Sequence, residues 1–306
     1  MRNLILLCIT IIVSYACRKS NPDPGELPPP DLPLVANYNC TYSPDYGDSL
    51  IYSKWRGPNN DYLIKPKNNT VNGTYFSWPQ GLVMNSSTGQ INVSQSETGI
   101  RYVVGFVKSG STDTCLTRLI LGGATYIDSI YVLGNNDTLA LPYFDANPVL
   151  QTICENSDDN DYPGNSGGAG GQGHGNDKCE FDDDDDVDGP GIEPPPGQQA
   201  NAQKIRVRTI SGIINLKKTL DDGAFGDNPK NGDQKEVTIY YRLNDGSGKA
   251  LQKIKVNLVY YERKTDIPVA LVNEINNKRN EFLQKKLVNP RGKPRPPQII
   301  ITRFAN

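Results

Sequence analysis

The sequence predicts a mainly β fold in three parts: an N-terminal β-sandwich, a disordered acidic Gly/Asp-rich linker, and a small C-terminal α+β module. Three observations carry this. Between residues 34 and 154, short apolar runs alternate with turn residues, the signature of strands joined by hairpins. Residues 155–200 are dominated by Asn, Asp, Gly and Pro, a composition that cannot offset the entropy of ordering. Alternating strands and one segment of helical spacing then resume over residues 201–306. Hydrophobic residues make up 36% of the chain, beside 29 Gly and 23 Pro, which excludes a helical bundle or a multi-span membrane protein.

Met1 and Arg2 precede an apolar run from Leu4 to Val13, followed by Ser14, Tyr15, Ala16 and Cys17. The run has the length of a signal core, about 7–15 residues, and falls short of the roughly 20 that cross a bilayer. Small residues at Ser14 and Ala16 just before Cys17 resemble the lipobox of bacterial lipoproteins, in the looser form familiar in Bacteroidota. Tyr15 is bulkier than that family prefers, and an ordinary secretory signal is the alternative. The resemblance implies that residues 1–17 are a signal peptide and that Cys17 is lipidated, as with palmitate. It also implies export to the outer membrane or cell surface, with the membrane as a partner. Residues 18–33, polar and rich in Pro, read as a flexible tether.

Cys8 leaves with the signal and Cys17 carries the lipid. Cys40, Cys115, Cys154 and Cys179 remain, for an oxidising compartment where three connectivities are open. Cys40 with Cys115 brackets one β-rich segment, and Cys154 with Cys179 brackets a flexible loop, so these pairings are favoured. Zinc is the alternative, but there is no CxxC spacing and the only His is His174.

Strands are expected at Leu50 to Trp55, Tyr62 to Lys65, Thr74 to Trp78, Gln90 to Val93, Arg101 to Lys108, Cys115 to Leu121, Ser129 to Leu133 and Thr138 to Leu141. Within this region Gly81, Leu82, Asn85, Thr88, Gly89, Gln90, Ile91, Gly99, Tyr102, Val103 and Val104 resemble the Ig- and cadherin-like modules of bacterial surface proteins. Asn92, Val93 and Ser94 depart from the Gly and Pro that usually follow the Ile. The resemblance spans about thirty residues, roughly a third of an Ig-like domain, and implies an Ig-like β-sandwich with a surface role. Physically, Thr88-Gly89 supplies a turn with positive φ at Gly89, and Tyr102 and Val104 alternate with Val103 across a sheet.

In the C-terminal module Ile205, Val207 and Thr209 alternate, as do Val237, Ile239 and Tyr241, and Ile254, Val256, Leu258 and Tyr260. The turn Asn244 to Gly248 joins the last two as a hairpin. Pro268 opens a helix whose Leu271, Val272, Ile275, Arg279, Phe282, Leu283 and Leu287 recur at helical spacing, ending before Pro290. Gln298 to Phe304 is an apolar strand that could close the sheet.

Asp184, Asp186, Asp188 and Gly189 match the opening of a calcium loop, in which alternate carboxylates converge on one hard cation. Position twelve is Pro195 rather than a bidentate Glu, so the run reads as a solvated acidic spacer and calcium as the alternative; no other cofactor is indicated. No GxSxG, HExxH or P-loop spacing occurs, and the sequence reads as a non-enzyme. Asp48-Ser49-Leu50, Asp128-Ser129-Ile130 and Asp137-Thr138-Leu139 resemble the acceptor used for O-glycosylation of exported proteins in Bacteroidota, which implies Ser49, Ser129 and Thr138 as sites.

The formal net charge of −2 is a cancellation. Residues 201–306 hold 21 basic and 10 acidic residues, a net of +11, while residues 1–200 hold the other 11 and 24, a net of −13. Lys278, Arg279, Lys285, Lys286, Arg291, Lys293 and Arg295 form a basic patch suited to an anionic glycan, lipid head groups or the acidic linker. A solvated helix face is the plainer reading. Nucleic acid is not expected, since the patch lacks interleaved aromatics. The reading is thus a non-enzymatic surface lipoprotein for adhesion or ligand binding, with a glycan or a surface protein as partner. The alternative is a structural subunit of a surface or envelope assembly, in which Gln298 to Phe304 pairs across an edge.

Overall fold

A computed structural model describes residues 40–57, 59–68, 71–150, 153–154, 179–181, 197–284 and 296–306. The expectations for residues 1–39, including the signal peptide, the tether and Cys17, lie outside the described residues. The chain is mainly β, as the sequence predicts. In chain order the strands are β1 (Leu50–Ile51), β2 (Leu63–Ile64), β3 (Gly73–Trp78), β4 (Ile91–Asn92), β5 (Ile100–Lys108), β6 (Thr114–Leu121), β7 (Ala124–Thr125), β8 (Ser129–Val132), β9 (Leu139–Ala140) and β10 (Tyr143–Phe144). Then follow β11 (Glu180–Phe181), β12 (Ile214–Asn215), α1 (Leu216–Asp221), β13 (Gln234–Arg242), β14 (Gln252–Arg263), α2 (Val269–Leu283) and β15 (Gln298–Phe304).

The first sheet has the order β1-β6-β5-β3, with β1 parallel to β6 and the other neighbours antiparallel. Alternation puts Tyr102, Val104 and Phe106 of β5 on one face, where they pack with Tyr75, Ile91, Val93, Leu119 and Leu121. The pair β2 and β4 supplies Ile91 to that core. Gly89 has φ +67° in the turn before β4, as its position after Thr88 predicts. The Cys40–Cys115 disulfide ties the first described residue to β6.

The second sheet has the order β11-β13-β14-β15-β8. The predicted hairpin is present, with β13 antiparallel to β14 from Gln234↔Val259 to Tyr241↔Gln252. From β14 the chain passes through α2 to β15, which pairs parallel to β14, the crossover that parallel pairing requires. Val237, Ile239, Tyr241, Ile254, Val256, Leu258, Ile299 and Ile301 belong to the largest core cluster, with Phe144, Phe181, Ile205, Ile214 and Leu216. Val259, Tyr261 and Ile300 lie in a separate cluster with Ile267 and Ile275, so α2 covers the opposite face.

Four expectations are corrected. The division at residue 154 does not separate the sheets. Strand β8 pairs with β15, Ile299↔Ser129 to Thr302↔Val132, and β9 pairs with β12, so chain from the N-terminal region completes the C-terminal sheet. Strand periodicity shows which face is apolar but not which distant strand lies alongside. Second, β15 is flanked by β14 on one side and β8 on the other, which removes the free edge that pairing with another chain would need. Third, the acidic segment is interrupted by order at its fourth cysteine. Cys179 is bonded to Cys154, and Glu180 and Phe181 form β11, with Phe181 fully buried against Tyr241. The carboxylate of Glu180 is only 4% exposed because Lys249 and Arg242 face it, at 3.3 and 3.7 Å. Fourth, Ile205 to Thr209 is not a strand. Only Val207 makes a bridge, to Ile214, and the unpredicted helix α1 follows, capped by the Asn215 side chain accepting from Lys218 N at 3.0 Å.

Candidate functional site

The two sheets meet along a seam, and a cavity of about 420 Å³ opens into it. One wall is Ile100 and Arg101 at the start of β5. Next to them stand Phe282 of α2, against the Arg101 side chain, and Pro296 and Pro297 leading into β15. Tyr126 and Ile127, between β7 and β8, line it from the chain that crosses between the sheets, and Pro79 closes another side. Glu97, Glu236, Lys255 and Lys278 bring charge to it.

Arg101 organises the wall. Its guanidinium lies 5.2 Å from the centre of the Phe282 ring and donates to the carbonyl of Ala146. Partial burial lowers its pKa. Phe282 in turn meets Tyr143 edge-on at 5.4 Å between ring centres. The helix spacing predicts Phe282 as a packing residue, and it does pack, but half-buried on a cavity wall rather than in the sheet core.

Glu97 joins the halves. Its side chain accepts from Lys255 N at 3.3 Å, its own N–H donates to Gly81 O at 2.8 Å, and its carbonyl accepts from the Tyr102 hydroxyl at 2.9 Å. Burial raises its pKa, with the Lys255 amide and charge opposing. Lys255 Nζ is 3.1 Å from Glu236 Oε1. The cleft therefore offers donors and acceptors of both signs on apolar walls rather than a field of one sign.

The sequence-derived residues are scattered relative to this cleft. Lys278 lines it and Arg279, next along α2, is exposed. Lys285, Lys286, Arg291, Lys293 and Arg295 lie outside the described residues, as do Asp184, Asp186 and Asp188. Among the described residues no group of three or more His, Cys, Asp or Glu is placed to hold a metal ion. Ser49 is exposed and Thr138 half-buried, but Ser129 is only 5% exposed within β8, so its hydroxyl is not offered to a modifying enzyme by the folded chain. Both favoured disulfides, Cys40–Cys115 and Cys154–Cys179, are present and compatible with export. Among the described residues no helix is long and apolar enough to cross a membrane.

Arg101, Glu97, Tyr126 and Lys255 were not singled out by the sequence as site residues. Arg101 is on β5, Lys255 on β14, and Glu97 and Tyr126 on connecting segments, so only the packing of the sheets brings them together. Comparison with family models and with curated proteins finds no match to this chain.

Proposed function

We propose that the chain is an exported, lipid-anchored protein of the outer membrane or cell surface that binds a glycan without transforming it. The cleft between the sheets carries the reading. Apolar surfaces from Phe282, Pro79 and Pro297 suit the C–H faces of a sugar ring, and the carboxylates and amines around them suit its hydroxyls, which both donate and accept. Among its charged groups, Arg101 is engaged with Ala146 and Phe282, and Lys255 with Glu236. Export and anchoring rest on the apolar run before Cys17 and on the two disulfides. The Ig- and cadherin-like resemblance of residues 78–107 supports a surface role.

A glycan array probed with the soluble chain, followed by calorimetry on its hits, tests the binding. Phe282→Ala is expected to weaken the best hit by about tenfold, the equivalent of about 1.4 kcal/mol, with an unchanged circular dichroism spectrum. Array-wide absence of binding, or full affinity in Phe282→Ala, overturns the reading. Palmitate labelling lost in Cys17→Ala is expected for the anchor, and equal labelling of both chains ends that part of it.

A further inference from the structure

A second cavity, of about 240 Å³, lies along the same seam. Trp55 and Tyr240 line it, together with Asp61, Gln95 and Lys253. Asp61 is held in place, its two oxygens accepting from Asn92 Nδ2 at 2.6 Å and Gln95 Nε2 at 3.3 Å. Aromatic residues beside a carboxylate and an amine recur here from the larger cleft at smaller size.

The register of β13 and β14 connects the two cavities. Tyr240 lies opposite Lys253, Thr238 opposite Lys255, and Glu236 opposite Asn257, so alternation projects Tyr240, Thr238 and Glu236 from the same face as Lys253 and Lys255. Tyr240 and Lys253 line the smaller cavity, and Glu236 and Lys255 line the larger one. Two residues along a strand advance about 7 Å, so Lys253 and Lys255 place the cavities in immediate succession. On the other side of the seam the chain does the same, with Gln95 in the smaller cavity and Glu97 in the larger one. Thr98 N donates to Lys253 O at 3.1 Å, and Lys255 N to Glu97 Oε2, which pins this segment against β14.

We propose that the two cavities are consecutive subsites of one groove that binds a linear, uncharged oligosaccharide, one sugar ring against Trp55 and Tyr240 and another against Phe282. This rests on the glycan reading above and adds the length and shape of the ligand. An uncharged chain fits because amines and carboxylates accompany each other in both cavities. A repeating ligand fits because an aromatic residue with a carboxylate and an amine recurs a short step along one strand pair.

The experiment is calorimetry of the full chain with α- and β-linked gluco-, manno-, galacto- and xylo-oligosaccharides of one to six residues, alongside an extended peptide library. For the oligosaccharide that binds, affinity is expected to rise at least about tenfold from the single sugar to the chain that spans both cavities, as linked sites require. Trp55→Ala abolishes that rise and leaves single-sugar binding to the larger cleft intact, whereas Trp55→Phe, which keeps a ring, retains most of it. Phe282→Ala weakens short and long ligands alike. Affinity that depends on Phe282 but not on length or Trp55 overturns the two-subsite groove and leaves the cleft reading standing. Peptide binding in place of oligosaccharide, or no binding by any of the panel, overturns both.

Discussion

At the scale of single residues, the junction between the halves depends on a clasp around Tyr52. Its ring lies between two glycines, such that a Cβ on Gly122 would come within 2.5 Å of the ring and one on Gly246 within 2.6 Å. The Tyr52 hydroxyl donates to Asp145 Oδ2 at 2.8 Å, and Asp145 Oδ1 accepts from Gly123 N at 3.0 Å. Gly246→Ala is therefore expected to cost about 1–3 kcal/mol in denaturant unfolding through overpacking, while Gly248→Ala, which meets no neighbour, is strained only by its positive φ of 60°. The sequence marks both glycines as turn residues and cannot show that one of them makes room for a ring nearly two hundred positions away. Asp245, beside this clasp, has its pKa raised by burial, with the nearby charge of Asp145 adding to it. A raised folded-state pKa means that the folded chain holds the proton more tightly. Stability from this group is greatest below the ordinary carboxylate range and falls as pH rises through the folded pKa. Asp245→Asn, whose side-chain oxygen can still accept from Ser247 N, should thus melt higher than the parent at pH 7 and at the same temperature near pH 3. Equal melting temperatures at pH 7 would refute the burial account.

At the scale of elements, the longer strands are legible from alternation, the two-residue strands β7, β10, β11 and β12 are not, and neither are the pairings. Ile299, Ile300 and Ile301 read as a strand in any register, but a central position follows from both faces being covered, one by the large core and the other by Ile275 and its neighbours. Ile299→Ala is expected to destabilise by about 2–5 kcal/mol, since the site is fully buried, whereas Phe304→Ala at the exposed end of β15 should cost well under that. Comparable losses in urea unfolding would contradict a central β15. The β11 segment is hidden for a different reason. Glu180 and Phe181 sit beside an acidic run that dominates the local composition, and the order comes from Cys154–Cys179 together with the contacts of Glu180 to Lys249 and Arg242. Closing a loop with a sequence separation of 25 contributes on the order of 3 kcal/mol by restricting the unfolded chain. The double variant Cys154→Ala, Cys179→Ala should lose about that much.

At the scale of the whole molecule, the two halves share secondary structure, and the cleft exists because they do. Its walls are drawn from β5, the chain between β7 and β8, β14, α2 and the approach to β15, so no contiguous motif could announce it. Mixed charge within the cleft also explains why the division into an acidic first part and a basic last part, plain in the sequence, does not point to the site. Ala124, Tyr126, Ala140 and Phe144 all belong to the core cluster that includes Ile205, Ile214 and Leu216. A fragment of residues 34–154 keeps β3, β5 and β6 paired but leaves β8 without β15 and β9 without β12. Amide exchange should therefore find β5 and β6 protected in both fragment and full chain, with β8 and β9 protected only in the full chain. The full chain is expected to melt in one transition, since Ile100 packs against both cores and the bonds of Thr98 to Tyr241 and of Lys255 N to Glu97 tie the two sheets together. Protection of β8 and β9 in the fragment at the full-chain level would mean that their order is local and that the shared sheet is not what holds the halves together.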